Sequence, residues 1–228
     1  MILVLNLKMN LTKTSIVEYE NFIHNKKVIV LPQYPYLLLF KKGSYALGSQ
    51  DVSKYAKGSF TGEVCAKGLK GLGVKYVLVG HSERKEYFKE SLSDFKMKIQ
   101  NIVDNEMIPI YCINQTSEEL KTDTELKLIE NQLEAIPEFV KYIMIAFEPT
   151  WLIGGSDEVI DIAHIEKVIL KIKDYLVERN INHSIIYGGG LNPNNIDILK
   201  SIQGNEGFIM SSSALERDKL EIIYEKIK

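Results

Sequence analysis

The sequence predicts an α/β fold, a closed (β/α)8 barrel, on three observations. Short apolar runs alternate with amphipathic stretches along the whole chain, the runs number eight, and polar or small residues gather at their carboxyl ends. Strand followed by helix, repeated, requires right-handed crossovers and a parallel sheet, and eight such units close on themselves. An open doubly wound sheet is the alternative. No GxGxxG follows the first run, however, and no GxxxxGK(S/T) occurs anywhere.

The elements follow in order. The first run, Ile2 to Asn6, continues as Asn6-Leu7-Lys8-Met9-Asn10, and strand alternation puts Asn6 and Lys8 on one face. Val28 to Leu31 and Tyr45 to Gly48 are the second and third runs, with a long loop from Gln50 to Glu63 behind them. Tyr76 to Val79 ends in Gly80-His81-Ser82-Glu83-Arg84, where a helix starting at Ser82 disfavours protonation of His81 and leaves a neutral donor. Leu92, Phe95, Ile99, Ile102 and Val103 keep helical spacing ahead of the fifth run, Ile108 to Cys112. The sixth run, Ile143 to Phe147, ends in Glu148. The loop after it is stiffened by Pro149 and loosened by Gly154-Gly155, as in a lid, with an apolar tip of Trp151, Leu152 and Ile153. Ile162, Ile165, Val168, Ile169, Ile172 and Tyr175 form the next helical stripe. Ser184 to Tyr187 and Phe208 to Met210 end in Gly188-Gly189-Gly190 and Ser211-Ser212-Ser213, where backbone N–H groups can approach an anion closely.

Composition narrows the function. At 228 residues the chain fits one domain over 1–228, long enough to bury roughly three quarters of its unfolded surface. Lys and Arg total 28 against 30 Asp and Glu, which gives no footprint for nucleic acid or an anionic membrane. Cys65 and Cys112 are too few and too distant for a disulfide framework and show no zinc spacing, so a reducing cytoplasm is expected. The start, Met1-Ile2-Leu3-Val4-Leu5-Asn6, reads as a strand rather than a signal peptide, and no run approaches the length that spans a bilayer. Taken singly, a Lys at a strand end is a solvated charge, a His a structural group, and Gly-Gly-Gly a turn. Cys112 reads as a small buried apolar residue, and His24, His164 and His183 as structural, lacking companions. The functional reading rests on coincidence: a base, a neutral electrophile, a cation, an anion cradle and a lid fall on one barrel face.

These segments resemble those of triosephosphate isomerase, the family for which the TIM barrel is named. Asn6-Leu7-Lys8-Met9-Asn10 is similar to its Asn-Trp-Lys-Met-Asn, and Gly58-Ser59-Phe60-Thr61-Gly62-Glu63 to its Gly-Ala-Phe-Thr-Gly-Glu. Gly80-His81-Ser82-Glu83-Arg84 and Tyr187-Gly188-Gly189 match outright, and Glu148-Pro149-Thr150-Trp151-Leu152-Ile153-Gly154 is similar to its Glu-Pro-Val-Trp-Ala-Ile-Gly. The resemblance implies the division of labour described for that enzyme. Glu148 is the base, His81 the electrophile, Lys8 and Asn6 the electrostatic support, and Glu83 part of the catalytic set. It also implies that Asn6, Lys8, Ile153, Gly154, Gly190, Ser211 and Ser212 hold a phosphorylated three-carbon sugar. The reaction is then the interconversion of dihydroxyacetone phosphate and D-glyceraldehyde 3-phosphate through an enediolate, in glycolysis and gluconeogenesis. No cofactor and no metal are implied. A homodimer is implied, with the loop around Thr61 inserted into the partner.

Departures from the family pattern are local. Its Ser after Tyr-Gly-Gly is Gly190, its Gly-Gly after the eighth strand is Ser211-Ser212, its Tyr before the base is Phe147, and its Cys-Ile-Gly-Glu is Cys112-Ile113-Asn114-Gln115. One expectation is compensation, in which Ser211 or Ser212 replaces the hydroxyl missing at Gly190 and Gly190→Ser makes good its loss. Another is that the Gln115 amide oxygen still reaches the lid Trp, as the family's Glu does, while Phe147 cannot replace the Tyr. Two other functions compete: a non-catalytic phosphosugar binder, and a lyase or synthase, which would need a Schiff-base lysine or a second acid/base pair within a strand.

Overall fold

The computed structural model describes residues 1–40, 43–122, 124–152 and 160–228. Eight parallel strands follow one another around the barrel: β1 Ile2–Asn6, β2 Ile29–Leu31, β3 Ala46–Ser49, β4 Tyr76–Val79, β5 Ile108–Gln115, β6 Tyr142–Pro149, β7 Asn182–Tyr187 and β8 Gly207–Met210. The barrel closes where β1 meets β8, with Ile2 opposite Gly207 and Leu5 opposite Met210. The closed barrel, rather than the open doubly wound sheet, is the observed topology.

Each strand faces two ways, so apolar residues sort by parity. Val4, Leu31, Leu78, Ile110, Cys112, Met144, Ala146, Ile186 and Ile209 fill the barrel interior. Their alternates, including Leu3, Leu5, Val77, Val79, Tyr111, Ile113, Ile145, Phe147, Ile185 and Tyr187, pack outward into the layer shared with the helices. β5 and β6 run on for eight residues each, beyond the apolar runs that mark them in sequence. Continued along the inner face, the parity of Val4, Cys112 and Ala146 arrives at Asn6, Asn114 and Glu148. The interior row therefore turns polar at the carboxyl-terminal mouth.

Outside the strands lie α1 Lys13–Ile23, α2 Ala66–Gly71, α3 Ser82–Phe88, α4 Leu92–Asp104, α5 Ser117–Leu120, α6 Glu125–Leu133, α7 Ile162–Glu178, α8 Ile196–Leu199, α9 Ser212–Leu215 and α10 Arg217–Ile227. Short 3-10 helices cover Tyr34–Leu39 and Thr150–Leu152. The longest helix, α7, buries Ile165, Val168, Ile169, Ile172 and Leu176, a stripe of three- and four-residue spacings. Burial of each such side chain contributes about 1.5–3 kcal/mol. Thr12 with Ser15 and Ser91 with Asp94 form capping boxes that satisfy the first amides of α1 and α4. Among the described residues, no helix is long and apolar enough to cross a membrane. Cys65 and Cys112 are both unpaired, and Cys112 is fully buried as expected.

Candidate active site

The chain leaves β1 through a strained residue. Lys8 has φ 46°, a left-handed conformation unfavourable for a side chain this long. The buried Asn6 helps hold it, its Oδ1 accepting from the Lys8 amide at 3.2 Å. Gln50, after β3, donates from Nε2 to the Lys8 carbonyl at 3.0 Å and to that of Leu31 at 2.9 Å. The Lys8 ammonium then reaches Glu83 Oε1 at 2.6 Å, joining the ends of β1 and β4.

His81 caps α3, as the sequence indicates. Its Nδ1 accepts from the Glu83 backbone N–H at 3.3 Å. A nitrogen that accepts has no proton, so the neutral ring carries its hydrogen on Nε2. Nε2 lies 3.5 Å from Glu148 Oε1, inside the mouth. The other carboxylate oxygen, Oε2, accepts from Asn114 Nδ2 at 2.6 Å. Glu148 and His81 are both buried. Burial beside that carboxylate pushes the Cys112 thiol well up, so it stays protonated.

Lys8, His81 and Glu148 share one wall of a cavity of about 570 Å³, and Gly188, Gly190, Ser211 and Ser212 line the other side. Asn6 and Glu83 lie on an adjoining cavity of about 410 Å³, which meets the first along Lys8 and His81. Gly188 is tightly placed, since a Cβ there would lie 2.9 Å from Glu148 Cγ and 2.7 Å from Ile209 Cγ2. Ser211 has φ −125°, outside the left-handed region, so its backbone does not call for a glycine. Neither Ser211 nor Ser212 hydrogen-bonds through its hydroxyl to another described residue, whereas Ser213 donates to the Leu191 carbonyl at 2.7 Å. Gly190 has φ 45°, and a Cβ added there would stand 2.5 Å from the Leu152 carbonyl oxygen. The expected rescue by Gly190→Ser therefore meets both backbone strain and a clash.

Of the sequence-predicted residues, Asn6, Lys8, His81, Glu83, Glu148, Gly190, Ser211 and Ser212 stand at the same end of the barrel. Ile153 and Gly154 lie outside the described residues. Two expectations need correction. The Gln115 amide oxygen pairs with His164 Nε2 at 2.8 Å rather than with Trp151. His164 in turn has companions: Trp151 lies 6.2 Å away between ring centroids, and Glu125 Oε2 lies 3.7 Å from Nδ1. Burial lowers the His164 pKa, outweighing Glu125. Trp151 is thus reached through a histidine on α7, a link invisible in sequence because the partners come from three separate elements. Asn114 and Gln50 were missed outright. The strand parity that places Glu148 also marks Asn114, but only once β5 is known to run past Cys112. Gln50 carries no local signal.

Among the described residues no group of three or more His, Cys, Asp or Glu stands together to hold a metal ion.

The family model for triosephosphate isomerase matches residues 1–227. A triosephosphate isomerase of Orientia tsutsugamushi (strain Boryong) is 33% identical, over the whole of this chain and 98% of its own length. That of Buchnera aphidicola subsp. Baizongia pistaciae is 35% identical over 84% of this chain and 81% of its own. The enzyme of the yeast Zygosaccharomyces bailii is 32% identical over 96% and 95%. With likeness spread around the whole barrel rather than confined to one segment, this chain belongs to the triosephosphate isomerase family.

Proposed function

We propose that Glu148 is the base in the interconversion of dihydroxyacetone phosphate and D-glyceraldehyde 3-phosphate, the isomerase reaction of its family. The observation that carries this assignment is the facing pair at the mouth, a buried carboxylate with one oxygen 3.5 Å from His81 Nε2. Glu148 takes a proton from the carbon beside the carbonyl, and negative charge builds on the carbonyl oxygen. His81 donates to that oxygen from Nε2 and can do so without leaving its cap position. Lys8 supplies a fixed positive charge, held by Glu83, and Asn6 supports the turn that aims it. One such donor in a water-poor site lowers the barrier by about 2.7–4 kcal/mol. Glu148 then returns the proton to the neighbouring carbon.

The phosphate falls to the opposite wall, to the backbone N–H groups of Gly190, Ser211 and Ser212, with Ile153 and Gly154 of the lid closing over it. Two hydroxyls without a hydrogen-bond partner among the described residues, on Ser211 and Ser212, add donors that the family's glycines lack. Lid closure keeps water from an enediolate that would otherwise expel its phosphate. The chain acts as one catalytic domain over 1–228, in the cytoplasm, where its two free cysteines remain reduced.

A homodimer accompanies this reading. Met9, Tyr87 and Phe88 are exposed near the mouth, Met9 to 85%. Residues 55–63 are also exposed, with Tyr55 stacked on Phe60 at 3.7 Å between centroids and Thr61 just beyond. Exposed aromatics grouped beside a site favour a protein partner. Sedimentation at the mass of one chain would sink the dimer. For the reaction, a coupled assay on the purified chain, with products followed by NMR, separates the readings. Isomerisation of either triose phosphate supports ours, no turnover supports a binder, and carbon–carbon cleavage supports a lyase.

A further inference from the structure

Beyond the proposed catalytic residues, the Asn114 side chain touches Glu148. Asn114 stands opposite Glu148 in the pairing of β5 with β6, and both point into the barrel mouth one step past the core pair Cys112 and Ala146. The Asn114 side chain is buried, and its Nδ2 donates to Glu148 Oε2 at 2.6 Å. An ionised carboxylate only accepts, so the amide must turn its NH2 toward it. The consequence is visible at the other end: Asn114 Oδ1 is buried with no hydrogen-bond partner among the described residues. A buried unpartnered acceptor is unfavourable, and the bond to the carboxylate is what holds the amide in that orientation.

The backbone behind the amide is fixed as well. Gln132 on α6 donates from Nε2 to the Asn114 carbonyl at 2.7 Å, while its Oε1 accepts from the Asn114 N–H at 3.1 Å. The same Oε1 accepts from Lys85 Nζ at 2.7 Å, which anchors Gln132 to α3. The two oxygens of the base therefore differ: Oε2 is tied to a strand through a rigid amide, and Oε1 faces His81 in the cavity. The related Cys-Ile-Gly-Glu segment has glycine where this chain has Asn114, so the donor is an addition.

We infer that Asn114 is a positioning residue. By holding Oε2, its amide presents Oε1 of Glu148 to the carbon-bound proton beside His81. This rests on Glu148 being the base. A positioning role acts on the chemical step and leaves the phosphate wall alone, so it separates turnover from binding.

The test is steady-state kinetics of Asn114→Gly and Asn114→Asp, with inhibition by inorganic phosphate as the binding probe and thermal unfolding as the check on folding. Asn114→Gly removes the donor while keeping the backbone bonds to Gln132. It should lower kcat about tenfold, with KM and the phosphate inhibition constant within about twofold. Asn114→Asp keeps the shape but sets a second carboxylate against the first, and should lower kcat further, about a hundredfold. If either variant fails to fold, the other decides. Turnover within about twofold of the parent overturns the inference. So does a loss of kcat accompanied by an equal loss of phosphate affinity, which would mean that the cavity had been reshaped. Glu148→Gln, measured alongside, keeps the two readings apart. If it retains turnover, Glu148 is not the base; if it is inactive while Asn114→Gly is normal, only the positioning role falls.

Discussion

His81 and Lys8 are each fixed by hydrogen bonds from neighbouring elements at the barrel mouth. Lys8 tolerates φ 46° because Asn6 and Gln50 hold its amide and carbonyl, and Glu83 holds its ammonium. His81 has its tautomer chosen by the first turn of α3, through the Glu83 N–H. The tautomer is checkable: 15N NMR of the ring should show Nδ1 without a proton and Nε2 with one at the working pH. A ring protonated on Nδ1 would remove the neutral-donor assignment. Lys8 and His81 were legible in sequence because strand parity from a run whose end was visible reaches Lys8, and the helix start at Ser82 marks His81. Asn114, Gln50 and His164 were not, because their partners lie 34, 42 and 49 residues away in the chain. Only closure of the barrel brings such residues together.

Elements near the site are pinned by charge as well as by apolar packing. Lys98 on α4 is buried, with Asp51 Oδ1 at 2.6 Å and Glu90 Oε1 at 2.7 Å, and Arg84 on α3 bonds the same two carboxylates. Asp51 follows β3 and Glu90 joins α3 to α4, so four charges tie the β3 loop to the helices that carry His81. Burial raises the Asp51 pKa despite its cationic neighbours, a sign that the desolvation of this cluster is large. Lys98→Met would leave two carboxylates facing a single Arg. It should destabilise the fold by about 3–5 kcal/mol in urea denaturation, and a change below about 1 kcal/mol would show the network to be dispensable. The strands themselves were readable from apolar runs to within two residues at each end. β5 was the exception, extending to Gln115 where Cys112 was expected. Asn and Gln have poor strand propensity, and it is pairing with β6 that keeps them extended.

For the molecule as a whole, the parallel closed barrel was legible because eight strand–helix units leave few topologies, and the mouth followed from it. What the alternation of runs could not show is the cost of one buried cation beside the site. Among the described residues the ammonium of partly buried Lys85 meets Gln132 Oε1, the Cys112 carbonyl and the face of the Phe95 ring, all of them neutral, and burial pushes its pKa down to about 8. The folded state thus binds this proton more weakly than the unfolded chain does. Below about pH 8 the group is charged in both states; between there and the free value of about 10.5 the unfolded state holds more protons, so stability rises with pH. The rise is up to about 3 kcal/mol, and it should disappear in Lys85→Met when urea unfolding is compared across that window. Equal pH dependence in the two proteins would show that Lys85 is not buried as a cation. The proposed function rests on one carboxylate held against one imidazole at the barrel mouth, and the direct test is the kinetics of Glu148→Asp. Withdrawing the carboxylate by one methylene, about 1 Å, should lower kcat by a hundredfold or more with KM within about threefold and the thermal unfolding midpoint nearly unchanged. Turnover within about threefold of the parent would contradict the assignment of Glu148 as the base.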